Sequence, residues 1–249
     1  MCATGALLAN NYGLPALFVK LGGVFLYGYW IVFHQLDIRS ESYPLVRLKY
    51  IYLLVLVPLL LVDLSLQTLY IAQLKPDIIT SCCAVVFSAA EGDGRNLLGS
   101  VSQGTMLELF YGSAFSLAAL GVWLRRRWRA SLGWLYAGGW GWFLGLSLVA
   151  VITVFSAYIY AMPFHHCPFC ILKPEYDYIG FVLYGTLLLA AFFGIAGAIV
   201  HPFRPRPGLE RIIPEFQHTA VKLSLLLLAI FVALSSYHLL LYRITGGES

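Results

Sequence analysis

Two short segments hold the side chains best suited to chemistry: Ser81-Cys82-Cys83 and His165-His166-Cys167-Pro168-Phe169-Cys170. Thiolates exchange with disulfides through a mixed-disulfide intermediate. The Cys167-x-x-Cys170 spacing allows a disulfide across one turn, and thiol pKa values are often lowered in such motifs. Ile171 stands where a c-type haem site needs histidine, which excludes that use. Adjacent Cys82 and Cys83 can bond to each other only through a strained small ring. Each can instead pair with Cys167 or Cys170, or join a metal shell. Four sulfurs with His165, His166 and the thioether of Met162 suit Zn(II) or Cu(I), and soft ligands favour copper. A static disulfide stapling the two segments is a third use of the same atoms. It needs only two of the four cysteines and neither histidine.

The elements that carry these segments follow from composition. The chain has 249 residues, 60% hydrophobic and 11% charged, with a mean hydropathy of +0.79. A soluble domain has about a quarter of its residues charged. The shortage of charge is spread along the chain, which points to many membrane spans rather than one anchor. The formal charge of +4 does not indicate nucleic acid, because the basic residues cluster between apolar runs. The expected fold is an all-α polytopic membrane protein, a bundle of six transmembrane helices forming one integral membrane domain over 1–249. The spans are expected at about 14–36, 45–72, 105–124, 132–160, 179–200 and 219–242. Their continuous apolar runs favour helices over barrel strands. Pro58 is expected to kink the second span. The run His201-Pro202-Phe203-Arg204-Pro205-Arg206-Pro207 reads as a stiff connection. No cleavable signal peptide is expected, since no charge precedes Lys20. Cys2, the fifth cysteine, reads as a small apolar residue.

Charge sets the expected direction of the spans. Arg39, Arg47 and Lys49 lie in the first connection and Arg125, Arg126, Arg127 and Arg129 in the third. Arg204, Arg206, Arg211 and Lys222 lie in the fifth. The second and fourth carry only Lys75 with Arg95, and Lys173. The excess of Lys and Arg marks the cytoplasmic face. Both termini and both cysteine segments then lie on the non-cytoplasmic side, where disulfides persist. A bacterial inner membrane with the cysteine loops facing the periplasm is the expected location.

Polar residues inside spans are functional candidates. Asp63 lies well inside the second span, and Lys20 reaches a similar depth in the first. An ion pair between them is expected, with proton relay as the alternative. Glu108 reads as an interfacial carboxylate. His34, His201 and His218 fall near span ends, without the spacing of a helix-paired haem site. Gly141 with Gly145, and the row Ala190, Gly194, Ala198, read as places where helix backbones approach closely.

The tetrapeptide Cys167-Pro168-Phe169-Cys170 resembles the active-site motif of glutaredoxin-like proteins, although no βαβ pattern surrounds it. The layout of two cysteine pairs on one membrane face is similar to that of bacterial membrane disulfide-generating enzymes and of vitamin K epoxide reductases. In those families the cysteine pairs relay electrons to a quinone, so the resemblance implies a quinone or a thioredoxin-like partner here. The expected activity is membrane thiol–disulfide oxidoreduction. A thiolate of Cys167 or Cys170 attacks a disulfide, electrons pass through Cys82 or Cys83, and His165 or His166 activates the thiol. Two alternatives use the same residues. One is copper(I) handling at the outer face. The other is a non-catalytic subunit of a larger, respiratory-type membrane complex whose loops are stapled by disulfides.

Overall fold

The computed structural model describes residues 3–74, 102–161 and 167–245. It is all-α, with no strand among the described residues. Six helices are long and apolar enough to cross a membrane. A short α1 (Ala3–Leu7) precedes α2 (Gly13–Ile38) and α3 (Val46–Ala72). Then come α4 (Gln103–Arg126), α5 (Ala130–Ala150), a π-helical turn (Val151–Phe155) and α6 (Ser156–Tyr160), the last three forming one span. The chain ends with α7 (Ile179–Val200) and α8 (Ile212–Thr245).

Local chemistry sets several helix ends. The Ser102 hydroxyl caps α4 by accepting from Thr105 N at 3.2 Å. Arg125 and Arg126 close the same helix, where positive charge complements its dipole. The assigned helix α3 runs unbroken through Pro58. The start of α8 lies seven residues before the expected edge of the last apolar run. Its first turns carry Pro214, Glu215, Gln217 and His218, so apolarity alone does not reveal them. Lys222, expected in a connection, is therefore inside the helix.

The described residues form two compact units. The first contains residues 5–74 and 196–220. In it α2 packs on α3, and Phe33 meets Tyr52 and Phe203 edge-on, with ring centroids 5.8 and 5.4 Å away. Asn10 Nδ2 donates to Tyr70 O at 2.9 Å, and Tyr70 Oη donates to Ala6 O at 2.9 Å, which ties the N-terminal segment to the end of α3. Two connections brace each other at the opposite end of α3. Arg206 donates to Pro44 O at 2.8 Å and Ser42 Oγ to Pro207 O at 3.3 Å. Gly208 has φ +80°, and a Cβ there would collide with Ser40 Oγ, so both conformation and space call for glycine.

The second unit contains residues 102–195 and 221–245. Its core is aromatic. Phe110 touches Phe143, Phe155 and Phe231 with centroids 5.5, 5.0 and 6.0 Å apart. Hydroxyls are paired across helices: buried Tyr136 with Ser224 and part-buried Tyr111 with Ser236, each at 2.8 Å. At Gly194 a Cβ would overlap the Trp140 indole, so glycine admits that ring against α7. Gly141 and Gly145 differ from the expectation. A Cβ at either would meet nothing within 4 Å, so this pair makes no close crossing among the described residues.

Candidate thiol site

The site begins with the helix that leads into it. Val151, Ile152, Thr153 and Val154 are four successive β-branched residues, and β-branching crowds the preceding helical turn. Thr153 Oγ1 donates to Val149 O at 2.9 Å and Ser156 Oγ to Ile152 O at 2.7 Å, so hydroxyls share carbonyls within this stretch. The backbone here takes the π form, which adds a residue to the turn and re-aims the helix beyond it. Tyr160 closes α6, and Ala161 ends the helix in the left-handed conformation at φ 52°.

The cysteine turn runs from Cys167 to Tyr178. Leu172 N donates to Phe169 O at 3.1 Å and Lys173 N to Cys170 O at 3.0 Å, forming the 3-10 turn Cys170–Leu172. A second such turn, Pro174–Tyr176, comes next. Asp177 and Tyr178 are both left-handed, at φ 50° and 54°, and bring the chain into α7.

Two tyrosines fasten this turn to the helices on either side of it in sequence. Tyr160 Oη donates to the carbonyl of Cys167. Tyr184 Oη, on α7, donates to the carbonyl of Pro168 at 2.7 Å. Ile171 is fully buried and packs so closely on Gly180 that a Cβ there would come within 2.8 Å of Ile171 O. Tyr160 and Tyr176 meet with ring centroids 4.7 Å apart. Cys167 is 0% exposed and Cys170 7% exposed, so both thiols are enclosed and Cys170 is the nearer to the surface. Tyr176 lies outside the spans. Partial burial, then the neighbouring Cys170 and Glu175, push its phenol above the ordinary range, with Lys173 opposing.

The structure therefore brings Cys167 and Cys170 onto one buried turn. No disulfide is found among the described residues. Nor do three or more His, Cys, Asp or Glu side chains gather as a metal site among those residues. Cys82, Cys83, Met162, His165 and His166 lie outside the described residues. Lys20 and Asp63 form an ion pair at 2.6 Å in the first unit. Glu108 is exposed on α4. His34 Nδ1 is 3.3 Å from Lys49 Nζ, with its ring stacked on Trp30. His201 Nδ1 is 3.3 Å from Gln217 Nε2.

Sequence reasoning did not single out Tyr160, Tyr176 or Tyr184. The available signal was the density of tyrosine on both flanks of the motif, at 158, 160, 176, 178 and 184. It also passed over Asp37, whose carboxylate is fully buried at the end of α2. The tyrosine bonds hold the backbone of this turn at Cys167 and Pro168. No protein-family model, curated protein or solved structure matches the chain.

Proposed function

We propose that this is a membrane thiol–disulfide redox protein whose working dithiol is Cys167 with Cys170. The observation that carries the reading is the enclosure of both thiols on one turn, whose backbone is held by Tyr160 and Tyr184. A static staple between loops has no need of a second thiol beside the first. In the proposed cycle a thiolate of this pair attacks a partner disulfide. A mixed disulfide forms, and the second thiol displaces it to leave Cys167–Cys170 oxidised and the partner reduced. The reverse direction returns two electrons and two protons to the pair. Cys82 and Cys83 are the proposed relay, and His165 or His166 the proposed base for the attacking thiol. The terminal acceptor is proposed to be a quinone, reduced by two electrons and two protons to the quinol, or a thioredoxin-like protein. The distribution of Lys and Arg supports a topology with both termini and the cysteine turn on the periplasmic side of a bacterial inner membrane.

Mass spectrometry of the purified protein, alkylated with and without prior reduction, tests this. The expected result is a Cys167–Cys170 bond, or one from this pair to Cys82 or Cys83, that forms with oxidant and opens with reductant. Thiols that stay reduced under oxidant, together with about one equivalent of copper lost in a Cys170→Ser variant, would replace the redox reading with copper(I) handling. Co-purification with partner subunits and no loss of electron transfer on removing all four cysteines would favour a non-catalytic subunit.

A further inference from the structure

The second span is set apart by how little of it is covered. Of the 27 residues of α3 only Leu56 is buried. In the middle of this open helix sits a charge. Asp63 Oδ1 lies 2.6 Å from Lys20 Nζ of α2, and the two side chains are 26% and 45% exposed. At 1.5 Å rise per residue, Lys20 is about 10 Å from the start of α2 and Asp63 about 14 Å from the end of α3. Both therefore lie within the apolar part of their spans, and the short contact puts them at one depth.

Lipid tails offer neither donors nor acceptors. The Lys20 ammonium has three protons and the Asp63 carboxylate two oxygens, and one contact uses only part of that capacity. Among the described residues no other side chain is hydrogen-bonded to either. Ser65 and Thr68, nearby on α3, satisfy themselves by donating to Leu61 O and Leu64 O at 2.7 and 2.8 Å. Exposed Leu60 and Leu64 border the charge with apolar surface suited to packing.

We infer that a second copy of this chain covers this face, across a two-fold axis along the membrane normal. An isologous interface requires a surface complementary to itself. A positive and a negative group side by side at one depth meet that condition. The axis preserves depth and exchanges the two signs, so Lys20 of each copy faces Asp63 of the other. Two half-satisfied pairs become one ring of four alternating charges, closed off from lipid by the flanking leucines. The pair has no net charge, so it calls for a partner with none at that level. This holds whether or not the cysteine turn is redox-active.

Charge reversal tests the arrangement in the full-length protein. Wild type, Lys20→Asp, Asp63→Lys and a co-expressed mixture of the two variants are placed in lipid nanodiscs and weighed by native mass spectrometry. Wild type is expected as a dimer. Each reversal alone places like charges together and is expected to weaken self-association at least tenfold. Co-expression is expected to restore dimers, with the heterodimer mass predominating. The double variant Lys20→Gln with Asp63→Asn keeps size and hydrogen bonding without charge, and is expected to dimerise more weakly than wild type. Its state keeps the test decisive if a reversed chain fails to fold. A wild-type monomer at every protein-to-lipid ratio, a complex with a different protein only, or dimers indifferent to the neutral double variant would overturn the inference.

Discussion

The first unit contains two Lys–Asp pairs with the same 2.6 Å contact and opposite surroundings. Lys49 with Asp37 is enclosed, the side chains being 12% and 0% exposed. Both of its members make further contacts, although Asp37 Oδ2 has the ion pair and no hydrogen bond. Asp37 Oδ1 accepts from Leu45 N at 2.6 Å and so caps the start of α3, while Lys49 Nζ also reaches His34. Trp30 stacks on His34 and donates from its indole to Lys49 O at 3.2 Å. Lys20 with Asp63 has the contact and none of this surrounding network. The difference teaches that an ion pair's length says little about its role. A pair whose other hydrogen bonds are met locally is architecture. A pair left partly open within a membrane span is a surface awaiting a counterpart.

The sharpest way to break this comparison is to remove one member of each pair. Asp37→Ala strands the Lys49 ammonium and the Leu45 N–H in a buried place. The expected loss is about 3–5 kcal/mol, seen as a large fall in the unfolding midpoint in detergent. Asp63→Ala leaves Lys20 without its counter-ion about 10 Å from the start of α2, and its long stem can carry the ammonium part of the way outward. The expected loss in the detergent-solubilised monomer is about 1–2 kcal/mol, the scale of an interhelical polar contact within a membrane. The third pair, Arg211 with Glu215 at 2.9 Å, is 92% and 62% exposed and calibrates the lower end. Glu215→Ala is expected to cost no more than about 0.5 kcal/mol, read from the same midpoint. A ranking in any other order would mean that burial does not govern these pairs.

The span pattern was legible because hydrocarbon demands long apolar runs, and the six runs carry few charges within them. Lys20 and Asp63 were legible as neighbours because each stands far from any other charge inside its span, at a similar distance from the same membrane face. Asp37 was not, because an acid at the end of an apolar run looks like an ordinary interfacial residue. Its value depends on Leu45 and Lys49 folding back across a connection, which no local pattern announces. The start of α8 was hidden by polar residues on its first turns. At the candidate site the two thiols were legible from spacing alone. Their enclosure was not, since it comes from Tyr160 and Tyr184, which lie 7 and 17 residues from Cys167 in sequence and carry no motif. The π turn was equally silent, because Val151 to Phe155 reads as uninterrupted α-helical membrane sequence.

That turn sits only five residues before Tyr160. One residue more or less in a helix swings everything beyond it by about 100° around the axis. The wide π turn absorbs one such residue, so the phenol that holds the cysteine carbonyl keeps the direction that a regular helix one residue shorter would give it. A chain shortened by a single residue between 151 and 155 is expected to close into regular α-helix and keep the anchor on its target, whereas the same deletion between 156 and 159 would rotate it away. This five-residue stretch is thus expected to tolerate the loss of one residue where the four that follow it do not, for reasons of angle rather than of composition.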